Sequence, residues 1–301
     1  MNQNPSGATR PTRTALILGG GGSTGNAWLI GVIAGLFDAG LDVTDADLIV
    51  GTSAGSTAAA QITGATPPQL FAQTIDAVPP QRRGPAVGTP NGPVADHMQR
   101  LTRIIAASED AADLRRRMSA AALESDASAD GSDRWRSIVA TRVPRPDWPQ
   151  QRVLITAVDA RTGEPAVFDR HSGIDLVDAV AASCASGFAY RIGDGRYIDG
   201  GYRSNAENAD LAAGCARVLV LSPFGGRSLT PPEWGTHLAT QVDDLRANGS
   251  TVETIFPGGD VEYLFGPNAM DPTLRAPAAR AGFDRGRDLA ARLTGFWRRP
   301  A

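Results

Sequence analysis

The segment Asp47-Leu-Ile-Val-Gly51-Thr-Ser53-Ala-Gly55 constrains the fold more tightly than any other part of the chain. An apolar run short enough for a buried strand enters a turn bounded by glycines, and an Ala-rich helix leaves it, ending near Gly64. A serine at so tight a strand-to-helix turn is forced into a strained backbone. Gly51 and Gly55, two positions to either side, let neighbouring chain pass without a Cβ in the way. The hydroxyl of Ser53 then projects over the sheet edge, with the amides of the next helix close by. An earlier unit repeats the order: Thr14–Leu18 as a strand, Gly19-Gly20-Gly21-Gly22-Ser23-Thr24-Gly25 as a loop, and Asn26–Phe37 as a buried helix capped by Gly40. Gly31 and Gly35 lie on one face of that helix, where a close neighbour is expected.

Two such units in succession predict an α/β fold of three layers, α/β/α, with a mainly parallel central sheet and sites at the carboxyl ends of the strands. The parallel-strand pattern resumes at Arg152–Val158 and Arg217–Leu221, Thr251–Phe256 reads as a further strand, and Arg285–Arg299 reads as a final basic helix. Between the halves, about 79–150 is Pro- and Gly-rich, then helical, then polar, and reads as a helical cap-like insertion. The expected organisation is a flexible segment 1–13 and a single domain 14–301 carrying that insertion.

All 29 basic residues of the 301 are Arg, so a P-loop lysine, a pyridoxal Schiff base and a Ser-Lys dyad are excluded. A net charge of −3 provides no basic field for nucleic acid. Cys184 and Cys215 form no C-x-x-C pair, and His97, His171 and His237 have no zinc spacing, so neither metal nor cofactor is expected. Residues 1–13 are polar and lack the apolar core of a secretory signal. The uncharged stretches Thr14–Phe37 and Leu48–Ile75 are broken by glycines and polar residues, unlike membrane spans. A cytoplasmic protein is expected.

Gly20, Gly22 and Gly25 satisfy G-x-G-x-x-G, but a dinucleotide site also needs an acid closing the second strand, and Ser53 follows that strand instead. An oxyanion hole built from the loop amides fits better. A third motif, Tyr197-Ile-Asp199-Gly200-Gly201, puts an acid before two glycines, preceded by a helical stretch Val177–Cys184. Glycine loop, G-x-S-x-G and Asp-Gly-Gly, in this order from Thr14 to Asn205, resemble the patatin-like phospholipase family.

That resemblance implies a patatin-like fold and a serine acyl hydrolase working through a Ser-Asp dyad. Ser53 is then the nucleophile, Asp199 the base, and the amides around Gly20, Gly21 and Gly22 the oxyanion hole. Gly25, Gly51, Gly55, Gly200 and Gly201 support the turns, and Asn205 braces its loop. A lipid or other acyl ester is the implied substrate. Two departures stand out: Ser23 and Thr24 occupy places where the family's loop often carries a basic residue, and Ala185-Ser-Gly-Phe-Ala-Tyr190 has no proline after the helix.

Two other readings remain open on the sequence. Ser53, Asp199 and His237 follow the chain order of an α/β-hydrolase triad, although His237 sits in a helix-like stretch. The glycine loop could instead serve a non-catalytic phosphate- or nucleotide-binding module. Leu101–Ile105, flanked by Arg100 and Arg103, is compatible either with transient contact at a membrane surface or with a cap helix packed on the core. Oligomeric state leaves no sequence signal.

Overall fold

The computed structural model describes residues 13–77, 92–125 and 129–298. Apart from Arg13, the segment expected to be flexible lies outside them, as do 78–91 and 126–128 of the expected insertion. Strand β1 (Thr14–Leu18) leads through the glycine loop into α1 (Gly22–Asp38), and β2 (Leu48–Gly51) leads through Ser53 into α2 (Ala54–Ile62) and α3 (Pro67–Asp76). Three helices follow, α4 (Gly92–Ala107), α5 (Ala111–Glu124) and α6 (Ala129–Ala140), and then β3 (Arg152–Asp159), β4 (Pro165–Phe168) and α7 (Leu176–Ser183). The remaining elements are β5 (Tyr190–Ile192), β6 (Gly195–Asp199), β7 (Arg217–Leu221), α8 (Leu238–Ala247), β8 (Thr251–Ile255) and α9 (Arg275–Trp297).

The strands form one eight-stranded sheet in the order β5-β6-β3-β2-β1-β7-β8, with β4 paired to β3. Its centre is parallel, as short all-apolar strands with helical crossovers require. The period of two is visible in the packing. Leu16, Leu18, Ile49 and Ile155 enter one core with α1, α7 and α9, whereas Ala15, Ile17, Val50 and Leu154 enter a second core with Leu238 and Val242 of α8. Helices on both faces of the sheet give the expected three layers.

Register places the strand ends that matter. Ile155 pairs with Gly51 of β2 and Phe168 of β4, while Ala157 pairs with Ala166 of β4 and Asp199 of β6. A strand has only two edges, so β2 and β6 share one edge of β3 and meet end to end, because β6 runs antiparallel. Gly51 and Asp199 face positions two residues apart on β3, about 7 Å along the strand.

Two boundaries differ from expectation. Helix α1 begins at Gly22 instead of Asn26, because the Gly25 amide already bonds the Gly21 carbonyl at 2.9 Å and the Thr24 amide bonds the Ala269 carbonyl at 3.0 Å. The last helix begins at Arg275 instead of Arg285. Its glycines oppose a helix by propensity but are the contact itself: a Cβ on Gly282 would stand 2.3 Å from the Trp28 carbonyl oxygen, and one on Gly35 would stand 2.0 Å from that of Phe283. Backbone thus meets backbone between α1 and α9. Gly35→Ala is therefore expected to lower stability by about 3 kcal/mol or more, since neither backbone can yield locally. Gly295→Ala in the same helix α9, with open space at its Cβ, is expected to raise stability by about 0.5–1 kcal/mol. Urea denaturation of the two variants reads both signs.

Between α3 and β3, Leu114, Met118 and Ala122 of α5 pack on Val158 and Ile198, and Leu101, Ile104 and Ile105 of α4 turn onto the same cluster. The apolar stretch of α4 thus faces the core, leaving Arg100 and Arg103 exposed. Among the described residues, no helix is long and apolar enough to cross a membrane.

Candidate active site

Ser53 has φ 51° and ψ −115°, one of two non-glycine residues with positive φ among those described. Such a backbone costs on the order of 1–3 kcal/mol and persists only when its surroundings hold it. The restraints are visible. The Ser53 amide donates to the Ser183 hydroxyl at 2.9 Å, and the Ser53 carbonyl accepts from Ser56 Oγ at 2.6 Å and Cys184 Sγ at 3.1 Å. A Cβ on Gly55 would lie 1.8 Å from the Leu18 carbonyl oxygen, so only glycine lets the elbow press against β1.

Asp199 ends β6 and is 7% exposed. Its Oδ1 accepts the Gly201 amide at 2.8 Å, and the Ser53 side chain lies close enough to favour its charged form. Burial pushes the carboxyl up to about 6, against the opposing pull of the Gly201 amide and the Ser53 side chain. Gly200 is pressed onto Thr156, where a Cβ would come 2.2 Å from its hydroxyl oxygen.

The glycine loop completes the group. A Cβ on Gly20 would lie 3.6 Å from that of Ser53, which puts the loop directly beside the elbow. Its amides are not equivalent. Gly20 N–H is committed to the Ala206 carbonyl at 2.7 Å, whereas those of Gly21 and Gly22 have no acceptor among the described residues. Of the three amides expected to line an oxyanion hole, those of Gly21 and Gly22 are the ones without an acceptor among the described residues. Gly25 packs against Pro223.

Asn205 has the geometry of a brace: its Oδ1 accepts from the amides of Glu207 at 2.9 Å and Asn208 at 2.6 Å, and its Nδ2 donates to Thr236. Sequence reasoning missed what this brace supports. Asn208, fully buried at φ 55°, donates through Nδ2 to Thr52 Oγ1 and to the Gly200 carbonyl, both at 3.0 Å, and Thr156 Oγ1 joins Thr52 at 2.9 Å. One buried amide thus ties the serine turn to the aspartate turn. Glu207 is also buried, its carboxyl raised to about 7 by desolvation and bonded by the Ser222 hydroxyl at 2.5 Å, beneath Gly19. No spacing signals Asn208 or Glu207; a positive-φ asparagine is invisible without coordinates.

No histidine among the described residues hydrogen-bonds Ser53 or Asp199. His237 caps α8 with Nε2 at 2.7 Å from the Thr230 carbonyl, and His171 lies in an exposed turn. His97 of α4 places Nε2 3.2 Å from both Ser186 Oγ and Tyr202 Oη, joining α4 to the chain that flanks Asp199. Burial, followed by the nearby Arg100, holds its pKa below the ordinary value.

A mainly parallel sheet with helices on both faces, and with glycine turns converging at one edge, is the architecture of three-layer α/β enzymes. The chain belongs to the patatin-like phospholipase family, whose model matches residues 16–211, and lipid acyl hydrolysis is the general activity of that family. Among curated proteins, none matches it in sequence. Solved structures similar to it include VipD from Legionella pneumophila, 13% identical with a TM-score of 0.44 over 94% of this chain and 67% of that one. The type III effector protein ExoU is 14% identical with a TM-score of 0.39, over 94% of this chain and 54% of its own. The chain spans about half the length of ExoU.

Proposed function

We propose that this protein is a serine esterase of the phospholipase A type, cleaving carboxylic esters that carry at least one apolar chain through a Ser53–Asp199 dyad. The observation that carries the reading is the end-to-end meeting of β2 and β6, which brings the strained Ser53 turn beside the buried Asp199 carboxyl. A carboxylate is a weak base, and desolvation that raises it to about 6 brings it nearer the strength that proton abstraction at neutral pH needs.

In the first step Ser53 Oγ attacks the ester carbonyl while its proton passes to Asp199. The carbonyl oxygen becomes an oxyanion held by the Gly21 and Gly22 amides. Collapse expels the alcohol, which takes the proton from Asp199, and leaves an acyl-serine. Water then repeats the sequence with Asp199 again as base and releases the fatty acid. Family membership and the apolar-ester chemistry support a lipid substrate.

The test is fluorophosphonate labelling together with hydrolysis of p-nitrophenyl esters over a range of acyl lengths. Wild type is expected to label and turn over, and His237→Ala to keep both within about threefold, because that imidazole is bound to the Thr230 carbonyl. Loss of activity in His237→Ala with Asp199→Asn still active overturns the dyad in favour of a triad. A folded wild type that never labels favours the phosphate-binding reading of the glycine loop.

A further inference from the structure

We infer that Arg275, at the start of α9 and outside all three motifs, is a positioning residue of the oxyanion hole that supplies its positive field. The inference rests on the Ser53–Asp199 reading above. Arg275 Nη1 donates to the Ser23 carbonyl at 2.7 Å and to Ser23 Oγ at 3.3 Å, and Nη2 donates to Asn26 Oδ1 at 3.1 Å. Those acceptors lie in the first turns of α1, directly after the Gly21 and Gly22 amides that have no acceptor of their own among the described residues. Asn26 carries the contact onward: its Nδ2 bonds Gln61 Oε1 at 2.9 Å and the Ala54 carbonyl at 3.4 Å, in the helix that follows Ser53. The guanidinium thus holds the start of α1, and Asn26 ties that start to the helix after Ser53.

Its electrostatics point the same way. All three bonds go to neutral oxygens, no carboxylate pairs with Arg275 among the described residues, and the charge that bears on it is Arg142, of the same sign. Burial works against its charge as well. A helix N-terminus already carries positive partial charge, so a half-buried cation there is unfavourable while the site is at rest. It becomes favourable when an anion forms beside the loop, as it does when the ester carbonyl is attacked. An interaction stronger in the transition state than in the ground state raises kcat and leaves KM little changed.

The neighbouring contacts keep the cation in place. The Ala269 carbonyl accepts the Thr24 amide at 3.0 Å, and a Cβ on Gly22 would lie 3.0 Å from Met270 Sδ. Residues 269–275 thus close over the loop from beyond the matched family region, which ends at 211.

The test compares Arg275→Gln, which keeps a donor but drops the charge, with Arg275→Lys, which keeps the charge. Steady-state kinetics on p-nitrophenyl butyrate and the rate of fluorophosphonate labelling are measured, with thermal melts to check folding. Arg275→Gln is expected to lose kcat by roughly 10–100-fold with KM within about threefold, and Arg275→Lys to recover most of the loss. A folded Arg275→Gln as fast as wild type overturns the inference and leaves the dyad standing. Should Arg275→Gln not fold, a folded Arg275→Lys with the same 10–100-fold loss also overturns it, because the charge is then not what matters. A wild type that neither labels nor turns over removes both this inference and the reaction beneath it.

Discussion

Ser53→Ala is expected to abolish ester turnover, with kcat falling by about 10⁵-fold or more, and to erase fluorophosphonate labelling while the protein stays folded. The loss is that large because in the proposed reaction the other groups at the site only stabilise charge or move a proton, and none forms the acyl bond. Folding survives because the substitution removes a single oxygen at a half-buried position and leaves the Ser183, Ser56 and Cys184 contacts, which bind the Ser53 backbone, intact. Ser53→Gly separates backbone strain from chemistry. It is equally inactive, but glycine accepts φ 51° without a Cβ penalty, so it is expected to be more stable than the alanine variant by about 1 kcal/mol. A thermal melt in which glycine is the less stable of the two would mean that the elbow is not strained.

Asp199→Asn is expected to cost about 10⁴-fold in kcat, since the amide occupies the same place but cannot take the serine proton. Its effect on stability has the opposite sign. The folded carboxyl is raised to about 6 from an ordinary 3.8, so its contribution to stability is full below pH 3.8 and lost as pH rises through about 6. At pH 8 the native protein therefore holds a buried carboxylate at a cost on the order of 3 kcal/mol, at about 1.4 kcal/mol per pH unit. Asparagine removes that cost, so the inactive variant is expected to melt higher at pH 8 and to lose this advantage at pH 4. In the wild type, kcat/KM is expected to fall below pH 6 as Asp199 protonates. Glu207, raised to about 7 under the glycine loop, is the other acid able to produce an acid limb nearby, and Glu207→Gln is expected to leave the limb near 6 in place. A limb that disappears with Glu207 assigns the titration to the wrong carboxyl and removes Asp199 as the base.

Much of this was legible in the chain because the relevant signals are local. Short apolar runs define β1, β2, β3 and β7, and glycines at fixed offsets around Ser53 and after Asp199 mark places where, at Gly51, Gly55 and Gly200, the neighbouring chain leaves no room for a Cβ. The start of α1 is set by the Gly25–Gly21 bond and the Ala269 carbonyl, and the reach of α9 by α1: Gly282 and Gly286 weaken a helix alone but allow this one to reach the backbone of α1. The commitment of the Gly20 amide to Ala206 is likewise a contact between segments far apart in sequence, and no pattern within the loop foretells it. Asn208 and Arg275 escaped notice for the same reason, since their value lies in which remote oxygens they reach.

The glycine-to-backbone seam between α1 and α9 sets an order of events during synthesis. The ribosome makes Gly31 and Gly35 long before the Ala279 and Phe283 carbonyls that cover them, so nascent α1 waits with an open face while the rest of the sheet is translated. Arg275 emerges at the start of that same last helix. A chain made only as far as Asp199 already owns the serine and the aspartate, yet the backbone that seats the start of α1 arrives only with α9.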